Sequence, residues 1–256
     1  MSGILYGIGT GPGDPELMTI KAVKTIERCD VVAVPVSNMK LLETPLLLQP
    51  QQENRQELLG GCTAYQIAVV NVPEIDEKDI LFMPMPMKKE KDMLKRIHDL
   101  CAQEIISLLE KGRTVGFLTL GDPTIYSTYL YLHRRIKEKG LEAQIINGIP
   151  SFCAAAARLN EGLVENKEEL HIIPASYGVK EALELSGTKV LMKSGKKLGE
   201  VKEEVNKSGQ KMQMVEDCGM ETEKVYTATE QVPEKGSYYS LIIVKEHFTI
   251  ICLLFP

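Results

Sequence analysis

The stretch GILYGIGTGPGDPELMT, residues 3–19, decides the fold of the first part of the chain. The apolar residues at 4–8 predict a strand, and a glycine follows at every second position from Gly7 to Gly13. Asp14 and Pro15 then stand where the N-cap and the first residue of a helix belong. A glycine loop between strand and helix lets the backbone approach a ligand closely, and the helix start offers free N–H groups. The segment therefore predicts a strand, a ligand-binding loop and a helix over 15–28.

The spacing of these glycines excludes a dinucleotide-binding loop. A G-x-G-x-x-G pattern that begins at Gly9 requires glycine at position 14, where the chain has Asp14. Pro12 also lacks the N–H group that a phosphate-binding loop donates. The loop indicates a ligand that resembles a nucleoside but has no phosphate chain. A tight turn with a purely structural role is the alternative.

Strands and helices alternate along the chain, which favours a mostly parallel sheet with helices on its faces. In the first half, strands are predicted at 4–9, 31–36, 80–85, 114–120 and 143–147, and helices at 15–28, 88–111, 126–139 and 151–159. In the second half, strands are predicted at 170–174, 188–193, 211–216 and 239–245, and helices at 178–186 and 196–208. The chain is therefore expected to form two α/β domains, 1–164 with a mostly parallel sheet and 165–256 with a mixed sheet, joined by the polar segment 161–169.

Two segments fall outside this alternation. Residues 39–60 are rich in Gln and Leu and are interpreted as an insertion or a mobile loop over the site, with plain disorder as the alternative. Residues 247–256, HFTIICLLFP, form an apolar tail that would add an edge strand, cover an apolar patch or pack on a partner subunit. Exposed apolar strips usually mark contacts, so the tail is expected to help hold a homodimer.

The composition is that of an ordinary globular protein, with 256 residues, of which 44% are hydrophobic and 25% charged. The net charge of −5 gives no general support for binding a phosphate backbone, so no nucleic-acid partner is expected. The six cysteines form no C-x-x-C pair, which indicates reduced thiols. The four histidines have no ligand spacing, so no protein-bound metal is expected. Without a signal peptide or an apolar stretch long enough to span a bilayer, the protein is expected to be cytoplasmic, with no membrane partner.

Several ordered motifs resemble those of the tetrapyrrole (class III) methyltransferases, which use S-adenosylmethionine. GIGTGPGDPELMT resembles the opening motif, and FLTLGDPTIYST at 117–128 resembles the second. NGIPSF at 147–152 stands where the family has a P-G-[IV]-[ST]-S turn, with Asn147 in place of the usual proline. VPVS at 34–37, VLMKSGKKL at 190–198, CGM at 218–220 and YYSLIIV at 238–244 resemble one branch, the precorrin-2 or cobalt-factor II C-20 methyltransferases. The resemblance implies two α/β domains, S-adenosylmethionine bound in the cleft between them, a tetrapyrrole substrate and a homodimer.

The resemblance also implies a set of residues that touch the cofactor. These are Gly9, Thr10, Gly11 and Pro12 in the first loop, Gly121, Asp122, Ile125, Ser127 and Thr128 around the second motif, Ser151 and Phe152 after the third, and Met192, Gly219, Tyr239 and Ser240 in the second domain. The chemistry agrees, because an α-carboxylate needs hydroxyl or N–H donors and an α-ammonium needs acceptors. Asp122 is the candidate for a positioning role in catalysis, and Lys88, Lys89 and Lys193 are candidates for binding substrate carboxylates. In simpler interpretations, GDP is a common turn, Met192 is a core methionine and Cys218 is a buried, inert thiol.

Other functions stay open at this point. A different substrate of the same family is one alternative: uroporphyrinogen III, diphthamide or ribosomal RNA, of which the last is opposed by the net charge. A non-catalytic module that binds a nucleoside and regulates a partner belongs to another class, and it would bind the cofactor without turnover. The chain is rich in lysine and poor in arginine, which points only weakly to the cobalt-containing substrate. The choice between metal-free and cobalt-containing substrate stays open.

Overall fold

The computed structural model describes residues 2–38, 42–86, 90–174 and 178–246. The chain forms two compact units, Met1–Pro150 and Ser151–Pro256, each with its own sheet. The prediction of two α/β domains is therefore confirmed. Among the described residues, no helix has both the length and the apolar character needed to cross a bilayer.

The first unit carries a six-stranded sheet. Its strands are β1 (Ile4–Gly9), β2 (Val31–Val36), β3 (Leu46–Leu48), β4 (Asp79–Pro84), β5 (Val115–Thr119) and β6 (Glu142–Ile146). Its helices are α1 (Ile20–Arg28), α2 (Arg55–Gly60), α3 (Thr63–Asn71), α4 (Lys91–Glu110) and α5 (Tyr129–Glu138), with short 3₁₀ turns at Pro15–Leu17 and Pro73–Glu77. The strand order is β3-β4-β2-β5-β1-β6, and every pair is parallel except β3 with β4. The mostly parallel sheet is as predicted.

Helices cover both faces of this sheet. Successive side chains of a strand point to opposite faces, and the apolar side chains on each face pack against the helices on that side. Ile8 packs in one apolar core with buried residues of α1 and α3, whereas Leu5 packs in the other with residues of α4 and α5. Both side chains are fully buried. The two cores hold the ends of the strands in place, and the loops that leave those ends carry the candidate site.

The second unit consists of a five-stranded mixed sheet and its helices. It runs through α6 (Ser151–Arg158), β7 (Leu170–Pro174), α7 (Val179–Leu183), β8 (Thr188–Met192), α8 (Leu198–Ser208), β9 (Lys211–Glu216), β10 (Lys224–Tyr226) and β11 (Ser240–Lys245), with 3₁₀ turns at Gly195–Lys197 and Thr229–Gln231. The strand order is β10-β9-β11-β8-β7, in which only β7 and β8 are parallel. The mixed second sheet is as predicted.

The division between the units falls after Pro150, whereas the sequence places it at 164/165. Helix α6 packs on β9 and β11, and it therefore belongs to the second unit. The expected linker, 161–169, also lies within that unit. Its carbonyls at Gly162 and Leu163 accept hydrogen bonds from Lys245 Nζ at 2.6 Å and Thr188 Oγ1 at 2.6 Å. A polar composition does not reveal such backbone contacts.

The predicted helix over 15–28 is wrong as a continuous helix. Asp14 Oδ1 accepts from Glu16 N at 2.9 Å and caps only the 3₁₀ turn Pro15–Leu17. Helix α1 begins afterwards, at Ile20, where Thr19 Oγ1 accepts from Ala22 N at 3.1 Å. Two successive caps divide the segment, and the stronger Asp-Pro signal hides the second one.

The interpretation of 39–60 as a mobile or disordered segment is wrong over 42–60. This part contains β3 and α2, and Leu48, Leu58 and Leu59 are buried. Arg55 is 3% exposed and donates to the carbonyl oxygens of Ile75, Asp76 and Lys78 at 3.2, 3.0 and 2.9 Å. Contacts with a turn some 20 residues away order the segment, so the local sequence does not reveal them. The tail 247–256 lies outside the described residues.

Candidate functional site

The first candidate region is the edge of the first sheet where β1, β5 and β6 end. Gly9 pairs with Thr119, and Ile8 pairs with Ile146, so the three strands finish side by side. The loops that follow are the glycine loop, the GDP turn and the turn beginning at Asn147. Ligands of parallel α/β sheets collect at this edge, because the loops after the strands converge there.

Close backbone approach explains the glycines of this edge. A Cβ added at Gly148 would lie 2.2 Å from Gly121 O, and one added at Gly9 would lie 2.5 Å from Gly148 N. Gly121 N donates to Gly11 O at 2.7 Å, and both residues have positive φ, +72° and +77°. Three loops therefore meet backbone to backbone, which only glycine allows. Gly148 is a site residue that the sequence reasoning missed, although the glycine in NGIPSF was a usable signal.

Asp122 ties two of these loops together. Its Oδ1 accepts from Thr124 N at 2.7 Å and from the Thr124 hydroxyl, while its Oδ2 accepts from Asn147 Nδ2 and Gly148 N, each at 3.1 Å. Burial alone would raise the pKa of Asp122, but the hydrogen bonds from Thr124, Asn147 and Gly148 outweigh burial and hold it below its usual value. An ionised carboxylate with both oxygens occupied orients loops and is unsuited to accept a proton from a substrate.

Asn147 was noted only as a departure from the family turn, and the structure gives it a connecting role. Besides donating to Asp122, it accepts from Thr19 Oγ1 at 3.1 Å through its backbone carbonyl. Thr19 is the residue that caps α1. Asn147 therefore joins the start of α1 to the GDP turn. A proline at this position would keep the carbonyl that accepts from Thr19 but would have no side-chain donor for Asp122.

The hydroxyl residues predicted in this region differ in their surroundings. Thr10 is fully buried, and its Oγ1 donates to Thr119 O at 3.2 Å. Ser127 Oγ lies 3.0 Å from Thr119 Oγ1 and accepts from Tyr129 N at 3.2 Å. Thr128 is half-buried and precedes α5 without a side-chain capping bond. The hydroxyls of Thr10 and Ser127 hold the loops, and Thr128 is the better placed of the three to meet a ligand.

The remaining predicted residues lie in the same loops or directly after them. Pro12 is buried and Ile125 is half-buried. Pro123 closes the GDP turn, and Ile125 N donates to Asp122 O at 3.2 Å. Ser151 and Phe152 begin α6 in the second unit, with Ser151 half-buried and Phe152 7% exposed.

The second candidate region is one edge of the second sheet. Met192 ends β8 and pairs with Leu241, next to Ser240, which begins β11 and pairs with Glu216 at the end of β9. The loops 217–223 and 237–239 leave this edge. The sheet thus brings together the ends that carry Met192, Gly219, Tyr239 and Ser240. Met192 and Tyr239 are half-buried, while Ser240 is 1% exposed and its Oγ donates to Ser237 O at 2.8 Å.

Carboxylates hold the two loops of this edge. Glu216, 6% exposed, accepts from Ser237 N, and Asp217 Oδ1 accepts from Ser237 Oγ at 2.6 Å. Glu223 Oε2 accepts from Gly219 N at 2.8 Å. The sequence reasoning missed these acids, because an isolated Glu or Asp in a polar segment gives no signal of which amide it will meet.

Several residues at these two edges have a left-handed backbone conformation. Non-glycine residues with positive φ are uncommon, and Asn tolerates this conformation best. Among the described residues with positive φ, three are neither glycine nor Asn. They are Tyr126 in the loop after β5, Lys193 directly after β8 and Asp217 directly after β9, with φ of 48°, 60° and 51°. Such residues cluster at functional sites, where the surrounding structure holds them. Lys88 and Lys89 lie outside the described residues.

Burial makes several of the described thiols less acidic. None of Cys29, Cys62, Cys101, Cys153 and Cys218 forms a disulfide. Burial raises the pKa of Cys29 to about 12 and of Cys62 to about 11. Within 2–38, 42–86, 90–174 and 178–246, no group of three or more His, Cys, Asp or Glu side chains is arranged to hold a metal ion.

Comparisons with known proteins identify the family. Residues 4–233 match the family described as Tetrapyrrole (Corrin/Porphyrin) Methylases, and the chain belongs to it. A relative from Methanocaldococcus jannaschii, named as a probable cobalt-precorrin-2 C(20)-methyltransferase, is 31% identical over 94% of this chain and 95% of its own length. A precorrin-2 C(20)-methyltransferase from Sinorhizobium is 27% identical over 95% of this chain and 97% of its own.

Solved structures show the same fold. Uroporphyrin-III C-methyltransferase from Thermus thermophilus, solved with S-adenosylhomocysteine, superposes with a TM-score of 0.63 at 17% identity, and the match covers 95% of this chain and 98% of that one. At that identity the similarity concerns the fold alone.

Proposed function

We propose that the protein is an S-adenosylmethionine-dependent methyltransferase of corrin biosynthesis that methylates C-20 of precorrin-2 or cobalt-factor II. The observation that carries the proposal is the similarity to two proteins named for C-20 methylation, which extends over 94–95% of the chain. The quoted branch motifs, VLMKSGKKL and CGM, support the same branch. The name of the first relative favours the cobalt-containing substrate.

The loops of the first sheet edge fit the proposed cofactor. When bound, S-adenosylmethionine supplies an electrophilic methyl group on a sulfonium. At Gly9 and Gly148 a Cβ would clash with the backbone of a neighbouring loop, so the three loops form a cradle of bare backbone on which the ligand would lie. Backbone carbonyls suit an α-ammonium, and the Thr128 hydroxyl suits an α-carboxylate. Asp122 keeps this cradle in shape by holding the GDP turn to Gly148.

The reaction mainly requires that the methyl donor and the nucleophilic carbon are aligned and that water is excluded. A meso carbon of a reduced tetrapyrrole is already nucleophilic, because the adjacent pyrrole nitrogens donate electron density. Holding two reactants in the right geometry contributes about 7–11 kcal/mol to lowering a barrier. We therefore assign Asp122 as a positioning residue, with no general base required from it.

Second-unit residues complete the proposal. Met192, Gly219, Tyr239 and Ser240 are proposed to contact the cofactor, and the edge they share in the second sheet supports this. Lys193 is exposed, follows β8 directly and has φ of 60°, a conformation that needs support from its surroundings. We propose that it binds a substrate carboxylate.

The remaining parts of the proposal concern the state of the protein in the cell. We propose a cytoplasmic homodimer that binds a tetrapyrrole and neither nucleic acid nor membrane, without a protein-bound metal. The net charge of −5 argues against a nucleic-acid partner, and the absence of disulfides among the described cysteines is consistent with a reducing compartment.

The test is incubation of the purified protein with S-adenosylmethionine and, separately, precorrin-2, cobalt-factor II and uroporphyrinogen III. Mass spectrometry of the product should show one added methyl on precorrin-2 or cobalt-factor II, and NMR with a labelled methyl donor should place it at C-20. Binding of S-adenosylhomocysteine without turnover of any of the three substrates would contradict the proposed activity and favour a regulatory module. Turnover of uroporphyrinogen III instead would keep the family and change the substrate.

A further inference from the structure

The turn after β9 is held in a strained conformation. Asp217 and Gly219 both have positive φ, 51° and 78°. For a residue other than glycine such a conformation is unfavourable, and it persists only where neighbouring contacts impose it. Met220 N donates to Asp217 O at 2.9 Å and Glu223 N donates to Met220 O at 3.0 Å, so the turn closes on itself over residues 217–223.

Glu223 provides the contact that fixes Gly219. Its Oε2 accepts from Gly219 N at 2.8 Å, and its Oε1 accepts from Arg158 Nε. The Glu223 side chain is 16% exposed, whereas that of Arg158 is 59% exposed. Burial alone would raise the pKa of Glu223, but the hydrogen bonds from Arg158 and Gly219 outweigh it and lower that pKa. The Cys218 thiol is a further hydrogen-bond partner of the same carboxylate.

The other contacts of this turn act on its flanks. Asp217 Oδ1 and Oδ2 accept from Ser237 Oγ at 2.6 Å and from Thr222 Oγ1 at 3.0 Å, which fixes where the turn leaves β9. Glu223 acts on the amide of Gly219 itself. The N–H group and the preceding carbonyl belong to one planar peptide group, so the orientation of that amide also fixes the orientation of the carbonyl. A change at Glu223 should therefore alter the shape of the turn tip while the sheet stays intact.

We propose that Glu223, held in place by Arg158, is a positioning residue for the binding of S-adenosylmethionine through the Gly219 turn. The inference rests on the proposed function and deepens it, because Gly219 is one of the residues proposed to contact the cofactor. Glu223 acts through the Gly219 amide and does not itself need to touch the ligand. Its effect should fall on cofactor affinity and leave the methyl-transfer step almost unchanged.

The test compares Glu223→Ala, Glu223→Gln and Arg158→Ala with the control Glu203→Gln. Glu203 is an exposed residue of α8 whose Oε1 lies 2.8 Å from Lys207 Nζ, so the control removes an ion pair of the same unit away from the turn. The readouts are the Kd for S-adenosylhomocysteine by calorimetry, the KM for S-adenosylmethionine, kcat at saturating cofactor and the thermal unfolding midpoint.

Glu223→Ala should raise Kd and KM about tenfold, which corresponds to about 1.4 kcal/mol, with kcat changed less than about twofold. Glu223→Gln should lose about threefold in affinity, because its carbonyl oxygen still accepts from Gly219 N while the ion pair is lost, and Arg158→Ala should match it. Glu203→Gln should bind like the parent protein. If Glu223→Ala does not fold, Glu223→Gln decides.

Two failures can be told apart. If the parent protein does not bind S-adenosylhomocysteine, the proposed function is wrong and the inference falls with it. If the parent binds and folded Glu223 variants bind equally tightly, or lose kcat and affinity in equal measure, the positioning role alone is wrong.

Discussion

Replacing Asp122 with Asn should destabilise the first unit by about 3 kcal/mol. An Asn side chain has one acceptor oxygen and one NH₂ group, so the NH₂ must face either the donors of Thr124 or those of Asn147 and Gly148. The variant therefore loses two bonds to a charged acceptor, each contributing about 1.5–3 kcal/mol, and relaxation at the exposed Thr124 side recovers part of the loss.

The assay is urea unfolding of the parent protein and of Asp122→Asn at pH 7. Asp30→Asn is the matched control, because Asp30 Oδ2 accepts one backbone N–H, that of Thr114 at 2.7 Å, and Asp30 is exposed. The control should cost about 1 kcal/mol or less, since a neutral acceptor remains and water is at hand. Equal costs for the two variants would refute the reasoning that the carboxylate ties the two loops.

The pH dependence gives an independent check of the same network. The folded-state pKa of Asp122 lies below its usual value, so its stabilising contribution is present above pH about 4 and is lost as pH falls through the folded-state pKa. The difference in stability between the parent and Asp122→Asn should therefore be constant from pH 5 upwards and shrink below pH about 4. A difference that stays constant down to pH 2 would show that the charge is not involved.

Three further results are expected. Gly148→Ala should lower the urea midpoint strongly and weaken S-adenosylhomocysteine binding, because its Cβ would lie 2.2 Å from Gly121 O, while Gly162→Ala, where a Cβ meets nothing within 4 Å, should change neither. Arg55→Ala should cost about 2–4 kcal/mol, since three hydrogen bonds to backbone carbonyls are lost, and limited proteolysis should then cut within 42–60; resistance equal to the parent would contradict this. Deleting 247–256 should make a homodimer dissociate more readily in sedimentation runs, and an unchanged mass would remove the tail from the proposed interface.

The family and the succession of the main strands along the chain could be predicted from the sequence because their signals are local. The strands predicted at 31–36 and 211–216 match β2 and β9 at both ends. Gly112 follows α4 with φ of +80°, the conformation that glycine commonly adopts after the end of a helix. Periodicity, glycine positions and short motifs lie within a few residues of each other, so they can be read without the fold.

The candidate site could be predicted only as a set of loops. Glycines and hydroxyls at 9–12 and 121–128 marked the first edge, but the sequence did not show that the hydroxyls of Thr10 and Ser127 are engaged within the loops. The sequence also indicated a positioning role for Asp122, but it did not show which groups the carboxylate contacts. Those partners, Asn147 and Gly148, lie 25 and 26 residues further along the chain.

The sequence by itself determined the two α/β domains, the strand-loop-helix at the start and the membership of the methylase family. Only the tertiary structure decided the packing of 42–60 through Arg55, the links of Asp122 to Asn147 and Gly148, and the contact of Thr19 with Asn147. The physical reason is that a buried guanidinium or a buried carboxylate is satisfied by whichever group the fold brings within about 3 Å. Distance along the chain carries no information about that partner once the sheets have assembled.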